Sequence, residues 1–219
     1  MTGARGRAAA GPAGGTGPGA AASSCPASGH RIETAGPRIE AVVAAQLGRA
    51  PRGLRAVAHT CPCGLPDVVE TAPRLPDGTP FPTLYYLTCP RAVAAVSRLE
   101  AAGMMKAMTA RLADEKTRAA QEAAHRDYLA RRAAAALSAG VAPLPPGTQS
   151  AGGMPDRVKC LHALVAHELA VPGANPFGRE AAAAAGPWWE GGPCVAVMPD
   201  SARPDGAAPA GPREMKGGR

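Results

Sequence analysis

Both ends of the chain hold too much glycine and proline to form part of a packed core. The 219 residues include 27 glycines and 24 prolines, and both residue types are dense in residues 1–36 and 199–219. Segments of this composition bury too little apolar surface to offset the conformational entropy that is lost on ordering. We therefore predict disordered tails at residues 1–36 and 199–219 around a single core domain at residues 37–198.

The first part of the core predicts one helix and several short strands. A helix should begin at Pro37, because proline suits the first helical turn, and it should end at Gly48. Short strand candidates follow at 54–58 and 67–71, and the run at 83–88 is rich in the aromatic and β-branched residues that favour strands. Their short separations favour an antiparallel arrangement.

The second part of the core predicts mainly helices. Cys89 followed by proline has the pattern of a helix N-cap, a further helix should follow from Met104, and Asp114 should cap a long helix that ends near residue 137. Pro155 should open a helix that runs to residue 170. The predicted class is thus α+β, with a small, mostly antiparallel sheet packed against several helices.

Charge and composition exclude several classes of function. The net charge is +7, but aromatic residues make up only 3% of the chain. Nucleic-acid binding usually needs clustered cations and aromatic side chains for stacking, so we expect no nucleic-acid partner, whereas acidic small molecules remain suitable ligands.

The sequence also predicts a protein that is neither exported nor inserted into a membrane. Glycine and proline break the stretch after Arg7, where a signal peptide would need a continuous apolar segment. The long uncharged run 133–155 contains several prolines, which is unlike a spanning helix. We expect a cytoplasmic protein whose six cysteines are free thiols or ligands.

Cysteine and histidine residues are the strongest chemical feature of the sequence. Thiolate and imidazole groups are the ligands that zinc prefers in tetrahedral sites. Our primary ligand set is Cys61, Cys89, Cys160 and His167, with Cys63, His59 and His162 as alternates. These residues are equally compatible with small buried thiols and hydrogen-bonded core imidazoles.

Helical spacing distinguishes the two histidines that follow Cys160. In a helix from Pro155, Cys160 and His167 lie roughly 20° apart around the axis, at about 100° per residue. His162 lies roughly 160° from Cys160 and is the weaker ligand in a regular helix.

The same residues also suggest a nucleophilic cysteine. Cys89 and Cys160 both fall near predicted helix starts, where the helix dipole lowers the pKa of a thiol. His167 or His162 would serve as the base. This hypothesis predicts a cysteine-dependent hydrolase or transferase that acts on an anionic small molecule.

A glycine-rich segment before Cys160 suggests an anion site. Gly152 and Gly153 give a flexible turn into the predicted helix, whose free amides, with Arg157 and Lys159, suit a phosphate or carboxylate. The segment matches neither the dinucleotide fingerprint nor the P-loop, so a tight turn with helix capping is the favoured interpretation.

Several longer phrases carry a resemblance to a known family. These are Cys61-Pro-Cys-Gly-Leu-Pro, Asp77-Gly-Thr-Pro-Phe-Pro-Thr-Leu-Tyr-Tyr-Leu-Thr-Cys-Pro, Ser97-Arg-Leu-Glu and Ser150-Ala-Gly-Gly-Met-Pro-Asp-Arg-Val-Lys-Cys-Leu-His. Over about residues 37–190 the chain closely resembles the bacterial domain of unknown function 501 family, best represented in actinobacteria. The resemblance implies no settled activity. Some members bear a septum-formation label, which would imply a division-associated interaction protein, and the Trp188–Trp189 pair is a candidate anchor for a protein partner.

Overall fold

The described part of the chain begins with a short strand ahead of Pro37. We describe a computed structural model of the chain, in which residues 33–145 and 150–196 can be described. A two-residue strand at Glu33–Thr34 precedes the first helix. Residues 1–32 of the tail predicted at 1–36, and all of the tail predicted at 199–219, lie outside the described residues.

The described residues form six helices and two sheets. The helices are α1 (Pro37–Leu47), α2 (Pro90–Ala101), α3 (Met104–Arg111), α4 (Glu115–Ser138), α5 (Leu161–Ala170) and α6 (Pro176–Ala185). The strands are β1 (Glu33–Thr34), β2 (Leu54–Thr60), β3 (Pro66–Thr71), β4 (Tyr85–Leu87), β5 (Gly153–Met154) and β6 (Arg157–Val158). The predicted α+β class with a small antiparallel sheet is confirmed.

The main sheet is an antiparallel meander. Its strand order is β1-β2-β3-β4, so each strand pairs with its neighbour in sequence. Val57 lies opposite Val69, and Val68 lies opposite Leu87. The strands predicted at 54–58 and 67–71 are each slightly longer than expected, and the one predicted at 83–88 is shorter.

Local end signals account for most helix boundaries. Helix α1 starts at Pro37 and stops where Gly48 adopts φ 67°, a left-handed conformation that favours glycine. The Asp114 carboxylate accepts a hydrogen bond of 2.8 Å from the amide of Thr117 and thereby caps α4. Cys89 occupies the N-cap position of α2. These boundaries are confirmed.

The predicted start of α5 is wrong. Residues 153–158 form a two-stranded hairpin, in which Gly153 pairs with Val158 and Met154 with Arg157. The helix begins at Leu161, with Cys160 as its N-cap residue. Pro155 therefore lies in the hairpin turn, which is another position that suits its fixed φ.

Helix α5 lies at the centre of the hydrophobic core. Most of its residues are buried, including Leu161, Leu164 and Val165. The helix packs against β4 on one side and against α6 on another. Because α5 is covered nearly all round, the apolar stripe expected of a surface helix is absent from it.

Helix α6 approaches α5 very closely at Gly178. A Cβ atom placed on Gly178 would lie 2.1 Å from the backbone oxygen of Leu164 and 3.0 Å from Cβ of Glu168. No side chain tolerates such a separation, so the contact between the two helices requires glycine at this position.

The outer helix α4 is anchored to the sheet by Tyr128. The Tyr128 hydroxyl oxygen accepts a hydrogen bond of 2.7 Å from the amide of Leu84, and the ring is buried. Among the described helices, none has the length and apolar composition needed to cross a membrane.

The tryptophan pair covers an edge of the core. The rings of Trp188 and Trp189 meet edge to face at 5.0 Å, and Trp188 packs against the main hydrophobic cluster. Both side chains are half-buried. The idea that they anchor a protein partner stays a prediction.

Candidate metal centre

Three ligand-type side chains meet where α2 ends and α5 begins. They are Glu100 near the end of α2, Cys160 at the N-cap of α5 and His162 in its first turn, all half-buried. One ligand atom from each residue lies within 4.8 Å of the others. In the part of the chain that the structure describes, this is the one group of three or more such residues that converges this closely.

The backbone at the start of α5 frees the Cys160 thiol for other contacts. Cys160 has extended backbone angles and makes no side-chain capping hydrogen bond. Glu100 replaces it as the cap, since its Oε1 atom accepts a hydrogen bond of 2.7 Å from the amide of Leu161. Capping from the neighbouring helix thus brings a carboxylate and a thiol to the same place.

The His162 ring turns one nitrogen toward this cluster and the other away from it. Its Nδ1 atom lies 3.2 Å from Oε1 of Glu100 and 3.9 Å from Sγ of Cys160. Its Nε2 atom lies 3.2 Å from the carbonyl oxygen of Val93 and 3.2 Å from Oγ of Ser97. When Nε2 carries the proton and donates a hydrogen bond to the carbonyl oxygen of Val93, the Nδ1 lone pair faces the thiol and the carboxylate.

The surroundings of His162 favour its charged form. Its hydrogen bond with Cys160 is the largest cause that raises the pKa of the ring to about 9, and the charge of Glu100 adds to it against the opposing effect of burial. The ring therefore holds its proton tightly between a thiol and a carboxylate.

His167 takes part in a different network. Its Nε2 atom donates to Oδ2 of Asp127 at 2.9 Å, and its Nδ1 atom lies 3.3 Å from Nδ2 of Asn175. Burial is the largest cause that lowers the pKa of His167. With both nitrogens engaged and only 1% of the residue exposed, His167 connects α5 to α4 and to the start of α6.

The structure therefore pairs Cys160 with His162 rather than with His167. The 20° separation of Cys160 and His167 assumed a helix from Pro155, and Cys160 instead precedes the first helical residue. His162, which the helical spacing predicted to be the weaker ligand, is therefore the histidine that contacts the thiol.

The remaining predicted ligands lie near the end of the sheet. Cys61 and Cys89 are buried, and burial is the largest cause that raises the pKa of Cys61 to about 12 and of Cys89 to about 11. Cys63 is half-buried, and Nδ1 of His59 lies 2.6 Å from the buried carboxylate of Asp67. Thiols held in the protonated form are poor nucleophiles and need an ion to displace their protons before they bind it.

The glycines of the predicted anion site have a packing role in this structure. A Cβ atom on Gly152 would lie 2.4 Å from Cδ2 of Leu164, and one on Gly153 would lie 2.7 Å from the backbone oxygen of Arg157. Gly153 also has φ 123°, and the side chains of Arg157 and Lys159 are exposed. The anion site stays a prediction, but it has lost the helical amides that motivated it.

The residue that sequence reasoning missed is Glu100. It belongs to the Ser97-Arg-Leu-Glu phrase, and its spacing from Ser97 and Val93 places all three on one face of α2. That shared face was the available signal. Which distant residue the face would meet could not be read from α2 alone.

Comparison with known proteins gives a family and nothing further. Residues 57–183 match the family model described as "Protein of unknown function (DUF501)". This match includes Glu100, Cys160 and His162. Neither the curated proteins nor the solved structures contain a match to the chain.

Proposed function

Because the chain belongs to the DUF501 family of proteins of unknown function, we propose its function from the geometry of the chain itself. This function is the binding of one zinc ion by Glu100, Cys160 and His162. The observation that carries this proposal is the convergence of all three ligand atoms, with the thiol and the carboxylate on the same imidazole nitrogen. The ion would join the end of α2 to the start of α5.

The separations within the cluster support a shared ion. Ligand bonds of about 2.0–2.3 Å in a tetrahedral zinc site place neighbouring ligand atoms about 3.3–3.8 Å apart. The Nδ1–Sγ separation of 3.9 Å and the Nδ1–Oε1 separation of 3.2 Å differ little from these values. Small side-chain rotations would therefore complete three of the four coordination positions.

The contacts around the cluster support the same ion. The carbonyl oxygen of Val93 accepts a hydrogen bond from the N–H group at Nε2 of His162. A contact of this kind commonly orients a zinc-bound histidine. The cluster is half-buried, so water reaches the fourth position. A mixed thiolate, imidazole and carboxylate set favours zinc over the hard cations, which prefer oxygen ligands alone.

The test is the metal content of the full chain purified without chelator, followed by zinc titration of the apo protein. We expect about one zinc per chain in the wild type. We expect Cys160→Ser and Glu100→Gln to weaken binding by at least the roughly 10–100-fold that removal of an outer partner costs. Zinc should also raise the melting temperature of the wild type, because it binds the folded chain.

Cys63→Ser is the matched control. Cys63 is a half-buried free thiol outside the cluster, so its replacement should leave the stoichiometry and affinity unchanged. A wild type that takes up no zinc on titration would reject the proposal. Equal zinc content in the wild type and Cys160→Ser would reject this ligand set.

A second function, thiol chemistry at Cys160, has one observation in its favour. His162 lies 3.9 Å from Sγ, and its raised pKa is what a positively charged partner beside a thiol requires. A catalytic triad, however, places the nucleophile and the orienting carboxylate on opposite nitrogens of the histidine. Here both contact Nδ1, so the geometry favours coordination.

Alkylation kinetics of the metal-free protein separate these two functions. Thiol catalysis predicts that iodoacetamide modifies Cys160 much faster than Cys63, and that His162→Asn removes the difference. Equal rates at the two thiols would argue against an activated nucleophile.

The free state of the described cysteines supports our further proposal of a cytoplasmic, reducing location.

A further inference from the structure

A second feature of the fold is a cavity between α4 and α6. It has a volume of about 460 Å³ and lies beside the last residue of α3 and the first turns of α4 and α6. This volume is within the range that small-molecule sites occupy, about 300–1,000 Å³. None of the three residues of the zinc cluster lines the cavity, so the two sites are independent.

Cations surround this cavity. Arg111, Lys116 and Arg179 line it, and Glu180 is the acidic residue among them. Glu180 holds Arg111 through two hydrogen bonds of 2.7 and 2.8 Å. The side chains of Lys116 and Arg179 form neither an ion pair nor a hydrogen bond with any residue in the described ranges, although the charge of Lys116 acts on the neighbouring Asp114 carboxylate. Their charges are therefore available to an anionic ligand.

The helix caps determine which groups can hold that ligand. The Asp114 side chain accepts the amide of Thr117, and the Asn175 side chain accepts the amide of Gly178. These amides are already satisfied, so the backbone at the two helix starts is not a ready anion site. The side chains of Lys116 and Arg179 must supply the charge.

Gln121, in the cavity wall, has a buried side-chain oxygen that accepts no hydrogen bond within the described part of the chain. This residue is only 5% exposed, and its Oε1 atom has no hydrogen-bond partner among the described residues. A buried amide oxygen without a donor is costly, so native structures rarely contain one. The Oε1 atom of Gln121 is closed to solvent in this conformation, so rotation of the Gln121 side chain into the cavity would let a ligand hydroxyl supply the donor.

From these features we propose that the cavity between α4 and α6 binds a phosphorylated sugar or polyol. The phosphate pairs with Lys116 and Arg179, which present separate cations to its oxygens. With the Gln121 side chain rotated into the cavity, a ligand hydroxyl donates to its Oε1 atom, and another donates to the Glu180 carboxylate. The cavity volume suits a five- or six-carbon phosphate, and the charge pattern selects against the free sugar.

The test is calorimetric titration of the full chain with ribose 5-phosphate, ribose and inorganic phosphate. We expect saturable binding of ribose 5-phosphate at millimolar or lower concentration, weaker binding of phosphate and none of ribose. Each of Lys116→Ala and Arg179→Ala should weaken binding by about tenfold, as loss of one charge-assisted hydrogen bond would. Gln121→Leu should weaken ribose 5-phosphate and leave phosphate unaffected.

Arg118→Ala is the matched control on the same helix. Arg118 is exposed, pairs weakly with Glu122 and does not line the cavity, so its removal should leave the affinity unchanged. Absence of saturable binding of ribose 5-phosphate would overturn the proposal. So would an equal loss of affinity in Arg118→Ala and the two cavity variants, because that would show attraction to net charge alone.

Discussion

Replacing Gly178 with alanine is expected to lower the free energy of unfolding by about 3 kcal/mol. The added methyl group would lie 2.1 Å from the backbone oxygen of Leu164 and 2.7 Å from its carbonyl carbon. Backbone atoms cannot rotate away as a side chain can, so α5 and α6 must separate. The melting temperature should fall by roughly 6–12 °C for a chain of this size.

The reverse substitution on the same helix is the control. Ala184 is exposed on α6, and Ala184→Gly should cost only about 0.5–1 kcal/mol through backbone entropy. In an uncrowded helix, glycine to alanine would stabilise the protein by a similar amount. A Gly178→Ala protein that unfolds at or above the wild-type temperature would therefore contradict the close helix contact. Denaturation followed by circular dichroism decides between these results.

Replacing His167 with leucine is expected to cost about 2–4 kcal/mol of stability. The substitution removes the hydrogen bond to Asp127 and leaves the buried Nδ2 atom of Asn175 without its acceptor. It also removes a ring that stacks on Tyr85 at 6.0 Å and meets Tyr128 edge to face at 5.3 Å. Leu137→Ala, at an exposed residue of α4, should change stability by less than about 0.5 kcal/mol.

The same residue predicts how stability depends on pH. Burial lowers the pKa of His167 below its ordinary value of 6.5, so the unfolded chain takes up the proton at a higher pH than the folded chain. Stability contributed by neutral His167 is present above pH 6.5 and is lost as the pH falls through the folded pKa. Asp127 and Glu168 reduce this shift, whereas burial and Arg131 increase it.

Urea unfolding between pH 5 and pH 8 measures this dependence. The wild type should lose stability on acidification below pH 6.5, and His167→Leu should lose less over the same interval. Burial also lowers the pKa of His125, so part of the slope should remain in the variant. Identical slopes in the two proteins would show that His167 does not titrate as its burial implies.

The sequence was informative wherever a single residue determines a local end signal. Pro37, Gly48 and Asp114 predicted the boundaries of α1 and the start of α4, since capping depends on neighbours within one helical turn. Pro155 was misread because proline suits a hairpin turn as well as the first turn of a helix. Only the pairing of β5 with β6 distinguishes the two.

The candidate site was less predictable because long-range contacts determine it. Cys160 and His162 were recognised as ligand types, but their partner Glu100 lies on another helix, and no spacing rule connects the two segments. The burial of α5 all round its axis also removed the periodicity that would have shown which face His167 occupies. The ligand types were therefore predictable, and the way they are grouped depended on the tertiary packing.

The central position of α5 has a consequence for folding during synthesis. The sheet that α5 covers ends at Leu87, whereas α5 starts only at Leu161. A ribosome therefore releases the apolar face of the sheet several seconds before its cover, at about 5–20 residues per second. During that interval Val68, Leu84 and Leu87 would lack the cover that α5 gives them in the folded protein, and exposed apolar strands of this kind favour aggregation of a nascent chain.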